Sequence, residues 1–154
     1  MIKISNPIPF TKKAYDKLLS DRSRLRKVRV EVMKRLKVAR EMGDLSENGA
    51  YTYAKFELGS IGRQLRRINQ LLDDAFVVEE RVHVIVEFGS SVTLAGPRGT
   101  KTYLMVSEHE SDLQANKLAM TSPIGSAIME KRVGDKVSVV TPRGEVKYKI
   151  TAIS

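Results

Sequence analysis

No cysteine occurs in the 154 residues, which excludes a disulfide framework and any cysteine-based metal cluster. Histidine is nearly as scarce. His83 and His109 stand alone, and each is expected to serve packing or surface roles rather than to ligate a metal or act as a general base. Aromatic residues make up only 6% of the chain, with no stacking pair on one strand, so a sheet reading single-stranded RNA by base stacking is excluded. The longest uncharged run, residues 118–129, is far too short to cross a bilayer. Met1-Ile2-Lys3 begins no apolar stretch resembling a secretory signal, and a cytoplasmic protein without a membrane partner is expected. Phosphate-binding Walker loop, dinucleotide glycine fingerprint and nucleophile elbow are all missing. A conventional self-contained active site is therefore not in view.

What the chain does have is helical periodicity. Leu18, Leu25, Val32 and Ala39 fall one heptad apart, flanked by Tyr15, Val28 and Leu36. Tyr51, Ala54, Leu58, Ile61, Leu65, Ile68, Leu72 and Ala75 recur at spacings of three and four. Two apolar seams joined by a short link bury their faces by folding back on each other, so residues 1–79 are expected to form an antiparallel coiled-coil hairpin. Thr11, after Pro7-Ile8-Pro9-Phe10, is placed to cap a first helix running to about Met42. At about 1.5 Å per residue that helix is roughly 45 Å long. The tip is residues 43–51, GDLSENGAY, where Gly43 suits a helix end and Asp44 or Ser46 is expected to cap the next helix. Gly59 and Gly62 are expected to mark close helix approach.

From Val82 the period changes to alternation. Residues 82–88, 91–95, 101–106, 136–141 and 146–153 are rich in β-formers. Pro97-Arg98-Gly99 and Pro142-Arg143-Gly144 supply turn chemistry for two hairpins. Residues 123–131 open with proline at the first helical position and predict one short helix. Residues 76–80 read as the connection. The expected whole is a two-domain α+β chain, the second domain, residues 80–154, being a small antiparallel sheet with a helix across one face.

The net charge of +9 is unevenly placed. Residues 1–79 hold 17 Lys and Arg against 10 Asp and Glu, while residues 80–154 hold 10 against 8. Between Lys12 and Arg40 twelve cations face only Asp16, Asp21 and Glu31, a density that attracts a polyanion or a partner already holding one. A plainly solvated helix face would look the same. At the tip, Asp44 and Glu47 are three apart. Such a pair binds Mg²⁺ through a few oxygens and leaves other positions to water and phosphate, where the ion can orient an in-line attack on a phosphodiester. Two carboxylates make an incomplete site that a second protein would have to finish. Helix capping alone would also account for both acids.

The string Ala39-Arg40-Glu41-Met42-Gly43-Asp44-Leu45-Ser46-Glu47-Asn48, with Tyr51 and Ala54-Lys55 beyond it, resembles the tip of the bacterial transcript-cleavage and elongation factor family GreA/GreB. Downstream, Ser122-Pro123-Ile124-Gly125-Ser126-Ala127-Ile128-Met129, then Val133-Gly134-Asp135 and Thr141-Pro142-Arg143-Gly144-Glu145, is similar to the family's C-terminal signature in the same order. The resemblance implies a C-terminal domain of the FK506-binding-protein fold, used for docking rather than isomerisation. It implies a bacterial RNA polymerase partner, gripped at the coiled-coil rim of its secondary channel, with the hairpin inserted. Asp44 and Glu47 would help hold the polymerase's second catalytic Mg²⁺ and its attacking water, so that the polymerase cuts the 3′ end of backtracked nascent RNA. Ser122, Pro123 and Ile124 fall in the rim-docking segment. Arg35, Lys37 and Arg40 belong to a basic face that would steer the extruded RNA. The chain itself would be a monomeric protein cofactor rather than an enzyme.

One departure stands out: where the family has Ala followed by an acid, this chain has Gly49-Ala50. A channel binder that modulates polymerase without cutting is thus a second reading. A prolyl isomerase with a helical arm is a third, opposed by the sparse aromatics Phe88, Tyr103 and Tyr148. Free nucleic-acid binding, RNA or DNA, by the basic hairpin is a fourth.

Overall fold

The computed structural model describes residues 6–44 and 46–154. Met1-Ile2-Lys3 and Leu45 of the tip string lie outside them. Tyr15–Ala75 belong to one compact unit, and Pro7–Ala14 with Phe76–Ser154 form the other. No helix is long and apolar enough to cross a membrane among the described residues.

The first unit is the expected pair of helices. Helix α1 spans Lys12–Glu41 and α2 spans Gly49–Asp74. Leu25, Val32, Ala54, Ile61 and Leu65 form one buried cluster with Val28, Leu36, Leu58 and Ile68 packed against it, so the two seams read from the sequence do face each other. Each fully buried aliphatic side chain contributes about 1.5–3 kcal/mol, which is what keeps so long a helix from fraying. At its start Thr11 caps α1 as expected, its hydroxyl accepting from the Ala14 amide at 3.2 Å.

Two expectations about the hairpin are corrected. The N-cap of α2 is Asn48, whose side chain accepts from the Tyr51 amide, and not Asp44 or Ser46. The helix begins later than the acids suggest because Asn48 can also donate to the Ala39 carbonyl, 2.7 Å away, and so tie both helix ends at once. Gly59 and Gly62 do not mark close approach. A Cβ on Gly62 would meet nothing within 4 Å, and one on Gly59 would meet only the Arg63 guanidinium at 3.4 Å.

The second unit is built on a five-stranded sheet in the order β5-β4-β3-β7-β6. Its strands are β3 (Ser91–Gly96), β4 (Gly99–Val106), β5 (Lys117–Ala119), β6 (Lys136–Thr141) and β7 (Gly144–Ile153). Strands β3 with β4 and β6 with β7 are the two expected hairpins, closing at Gly96↔Gly99 and Thr141↔Gly144. Gly99 and Gly144 follow the turns at φ +106° and +115°, a region that glycine enters without a Cβ clash. Helix α3 (Pro123–Ile128) packs on β6. Val86, Val92, Leu94, Met105, Leu118, Ile128, Val137 and Ile150 form the core.

Three differences from the sequence reading have physical causes. Residues 82–88 form no strand: Val82 and Val84 are exposed, His83 and Val86 are buried, and Val86 exchanges backbone bonds with Glu130 and Lys131 beyond α3 instead of with a sheet neighbour. Here alternation reports burial without ladder pairing. The sheet is also not wholly antiparallel, because β5 runs parallel to β4, a three-residue segment too short for its period to be read. Residues 76–80 are more than a connection. Strand β2 (Ala75–Val77) pairs with β1 (Ile8–Phe10) in a separate two-stranded sheet, and Phe10 at its edge is buried.

Candidate functional site

The hairpin tip presents two carboxylates and little else that is charged. Asp44 and Glu47 are exposed, and no ion pair engages either among the described residues. Asp44 is not loose, however. Its Oδ1 accepts from the Ser46 amide at 2.9 Å and the Ser46 hydroxyl at 2.8 Å, a local turn that ties the carboxylate down through one oxygen. The Ser46 amide first, and its hydroxyl second, hold the Asp44 carboxyl below its ordinary value of 3.8. The group is therefore an anion at any physiological pH.

Asn48 connects this turn to the rod. With Nδ2 on the Ala39 carbonyl and Oδ1 on the Tyr51 amide at 3.1 Å, one side chain satisfies an orphan carbonyl of α1 and an orphan amide of α2. Asn48 is not among the residues expected to cap α2. The available signal was an Asn immediately before a helical run, a strong N-cap preference that two nearby acids obscured.

Behind the tip, the basic residues divide. Lys37 and Arg40 join Arg29, Arg63 and Arg66 around an open groove of about 520 Å³ floored by Met33, Leu36 and Leu58. Gly59 and Gly62 lie on its wall, so the missing side chains widen the groove. Arg35 is not part of it. It bonds Glu57 at 2.8 Å on the other side of the seam. Arg29, Arg63 and Arg66 were not singled out in sequence, since only the antiparallel pairing of α1 and α2 sets them beside Lys37 and Arg40.

In the second unit, Ser122 is the N-cap of α3: its Oγ accepts from the Gly125 amide at 3.0 Å and donates to the Ala119 carbonyl at 2.7 Å. Pro123 is exposed at the first turn, while Ile124 leans on the core. Gly125 is obligatory, as a Cβ there would lie 2.0 Å from the Ala119 carbonyl oxygen. The segment is thus a rigid corner with Pro123 at its surface. His83 is buried and bonded through Nδ1 to Glu87 at 2.7 Å, with Arg81 on the other Glu87 oxygen at 2.6 Å. This is a packing role, as its isolation in the sequence suggests.

The hairpin is rich in basic residues and ends in two exposed carboxylates, of which Asp44 is fixed by Ser46. The family model described as "Transcription elongation factor, N-terminal" matches residues 8–77, which gives the class: a transcription elongation factor. The model described as "Transcription elongation factor, GreA/GreB, C-term" matches residues 81–154. The chain belongs to the GreA/GreB family. Curated relatives agree over nearly the full length. Transcription elongation factor GreA of Thermosipho africanus is 36% identical, covering 95% of this chain and 96% of its own, and GreA of Geobacillus kaustophilus is 37% identical over 94% and 95%. Among solved structures, GreA factor homolog 1 of Thermus thermophilus is 28% identical, covering 96% of this chain and 99% of its own, at a TM-score of 0.46.

Proposed function

We propose that this elongation factor binds bacterial RNA polymerase, inserts its hairpin into the secondary channel, and stimulates the polymerase's own endonucleolytic cleavage of backtracked RNA. The observation that carries this reading is the tip: Asp44 and Glu47 exposed, unneutralised by any cation among the described residues, with Asp44 oriented and kept ionised by Ser46. Among those residues no group of three or more His, Cys, Asp or Glu could hold a metal ion. Two outward carboxylates fit a partial share in a Mg²⁺ whose remaining positions belong to polymerase, water and phosphate. When bound, the ion supplies an activated water and charge neutralisation at the scissile phosphate. What this chain does is deliver and orient two anionic oxygens. Asn48 fixes the turn to the helix ends, and the buried seam keeps the rod straight.

The remaining assignments follow the same plan. Lys37 and Arg40, within the five-cation groove, guide the extruded RNA backbone, and Arg35 is held apart by Glu57. Ser122, Pro123 and Ile124 form the docking corner on the polymerase rim, with Ser122 fixing the corner and Pro123 meeting the partner. The chain acts as a monomer, in the cytoplasm, and is catalytic only in partnership. The decisive test is transcript shortening in halted, backtracked bacterial elongation complexes with Asp44→Asn and Glu47→Gln. Loss of cleavage with binding retained supports the mechanism, and undiminished cleavage removes it.

A second reading has its own observation: α2 carries no acidic residue in its first turn, where Gly49 and Ala50 stand exposed. A factor lacking that charge occupies the channel and modulates the polymerase without cutting. Ala50→Glu separates the two. A large gain in cleavage favours the modulator, and little change favours the two-acid mechanism.

A further inference from the structure

A near-neutral total conceals a charge separation in the second domain. Residues 80–154 hold 10 Lys and Arg against 8 Asp and Glu, but six of those cations fall in the stretches 95–101 and 136–149, where Glu145 is the one acid. That leaves 4 cations against 7 acids in the remainder. Strand register brings the two stretches together. Ala95 pairs with Lys149, and from there β3 runs to its turn alongside β7 as β7 descends to Gly144 at the other turn. Both Pro-Arg-Gly turns therefore lie at one end of the sheet.

At this end Lys136 pairs directly with Lys149, and Ser138 with Lys147. Val137, Val139 and Ile150 are buried, so alternation puts Lys136, Ser138, Lys147 and Lys149 on the opposite, outer face. The three lysines line an open hollow of about 610 Å³ together with Ala95, Pro97 and Tyr148. Arg98, Lys101 and Arg143 are exposed as well. None of the six cations makes an ion pair among the described residues. The nearby acids are otherwise engaged: Glu145 accepts from the Ser138 hydroxyl, and Asp135 from the Arg132 amide at 2.8 Å.

Like charges directly opposite each other destabilise a sheet, so stability gives no reason for the Lys136–Lys149 pair. A polyanion laid across it turns the repulsion into attraction. The neighbouring side chains indicate which polyanion. Lys and Arg beside the exposed hydroxyls of Thr100, Thr102 and Ser138 are the groups that bond phosphate oxygens. A protein partner calls for an apolar centre poor in charge, and of the large apolar side chains in these two stretches only Val140 stands exposed. The size also fits. At about 3.3 Å per residue, Arg143 to Lys149 covers roughly 20 Å, the length of several consecutive phosphates at roughly 3.4 Å per strand.

We propose that this end of the sheet binds the phosphodiester backbone of a nucleic acid, without regard to base sequence. It is a surface of the second domain alone, made of residues that the hairpin groove does not share, and it does not rest on the channel reading.

The test is fluorescence anisotropy of a labelled duplex DNA and a labelled single-stranded RNA, titrated with the full chain over a series of salt concentrations. The Lys136→Gln, Lys147→Gln, Lys149→Gln variant is expected to bind roughly tenfold or more weakly at low salt, its log-affinity slope shallower by roughly 0.9 per lost contact on duplex or 0.7 on single strand. A loss on the duplex alone supports the proposal with DNA as the source of the phosphates, and a loss on RNA alone supports it with RNA. The corresponding Lys→Arg triple variant keeps affinity and slope. Thermal midpoints no lower than the parent's show that the fold is kept, and Arg98→Gln, Arg143→Gln, confined to the two exposed turns, gives the same readout if the triple variant unfolds. Unchanged affinity and slope in both Gln variants, with binding lost instead on Arg63→Gln, Arg66→Gln of the hairpin, overturns the proposal. So does a parent chain that binds neither nucleic acid, or a loss in the Gln variants confined to binding of polyglutamate, which would make an acidic protein the occupant.

Discussion

Thr11 and Glu110, 99 residues apart in sequence, are joined by two hydrogen bonds: the Glu110 carboxylate accepts from the Thr11 amide at 3.0 Å and from its hydroxyl at 2.8 Å. The same hydroxyl accepts from the Ala14 amide, so within the second unit, to which Pro7–Ala14 belong, a buried acid holds the residue that caps the start of α1. Beside this contact Phe10 stacks on His109 with ring centroids 6.3 Å apart.

Removing that buttress leaves the partly buried Thr11 amide and the proton of its hydroxyl without an acceptor. Glu110→Ala is expected to lower stability by about 1–3 kcal/mol, read from urea unfolding. Thr11→Ala should cost a similar amount, and the double variant less than the sum, because the two residues share the same bonds.

The tip depends on Asn48 more than on its acids for its shape. Asn48→Ala removes an N-cap and a bond to the Ala39 carbonyl together, and is expected to cost about 1–2 kcal/mol in thermal unfolding. Asn48→Asp should recover part of the loss, since it keeps the acceptor for Tyr51 and loses the donor to Ala39.

Two glycines should respond oppositely to alanine. Gly62 lies in open space within α2, so Gly62→Ala stabilises by about 1 kcal/mol through helix propensity. Gly125→Ala forces a methyl to within 2.0 Å of the Ala119 carbonyl oxygen and is expected to destabilise by about 2 kcal/mol or more. Denaturant midpoints of the two variants compared with the parent check both signs.

Acid should weaken the second unit through Glu87. Its hydrogen bond with His83, outweighing the opposite push of burial and joined by the Arg81 charge, holds the carboxyl below its ordinary value of 4.5. With the folded value below the unfolded one, the contribution is fully present above the ordinary glutamate range and is lost as pH falls through the depressed value. Glu87→Gln should therefore flatten the stability profile below about pH 4.5, measured by unfolding across a pH series.

Ser46 offers a parallel test at the tip. Ser46→Ala deletes one of the two bonds that keep the Asp44 carboxyl low and leaves the amide bond in place, so under the proposed cleavage role the acid limb of the activity profile is expected to move upward in pH. An unmoved limb would separate Asp44 from the titrating step.

Much of this was legible in the chain itself. Leu25, Val32, Ile61 and Leu65 repeat at helical spacing because a long two-helix seam has no other way to bury its apolar side chains, so the hairpin and its tip could be read in advance. The paired Pro-Arg-Gly turns likewise announce β3–β4 and β6–β7, since turn chemistry is local. Asp44 and Glu47 stand out for the same reason: their meaning lies in a short string.

Only the folded chain decided the rest. No local pattern links Glu110 to Thr11, assigns the cap of α2 to Asn48 over Asp44, or denies residues 82–88 a strand, because each outcome depends on a partner distant in sequence. The basic groove is of the same kind. It exists only once α1 and α2 lie antiparallel, when Arg29, Lys37 and Arg40 of one helix meet Arg63 and Arg66 of the other around one groove.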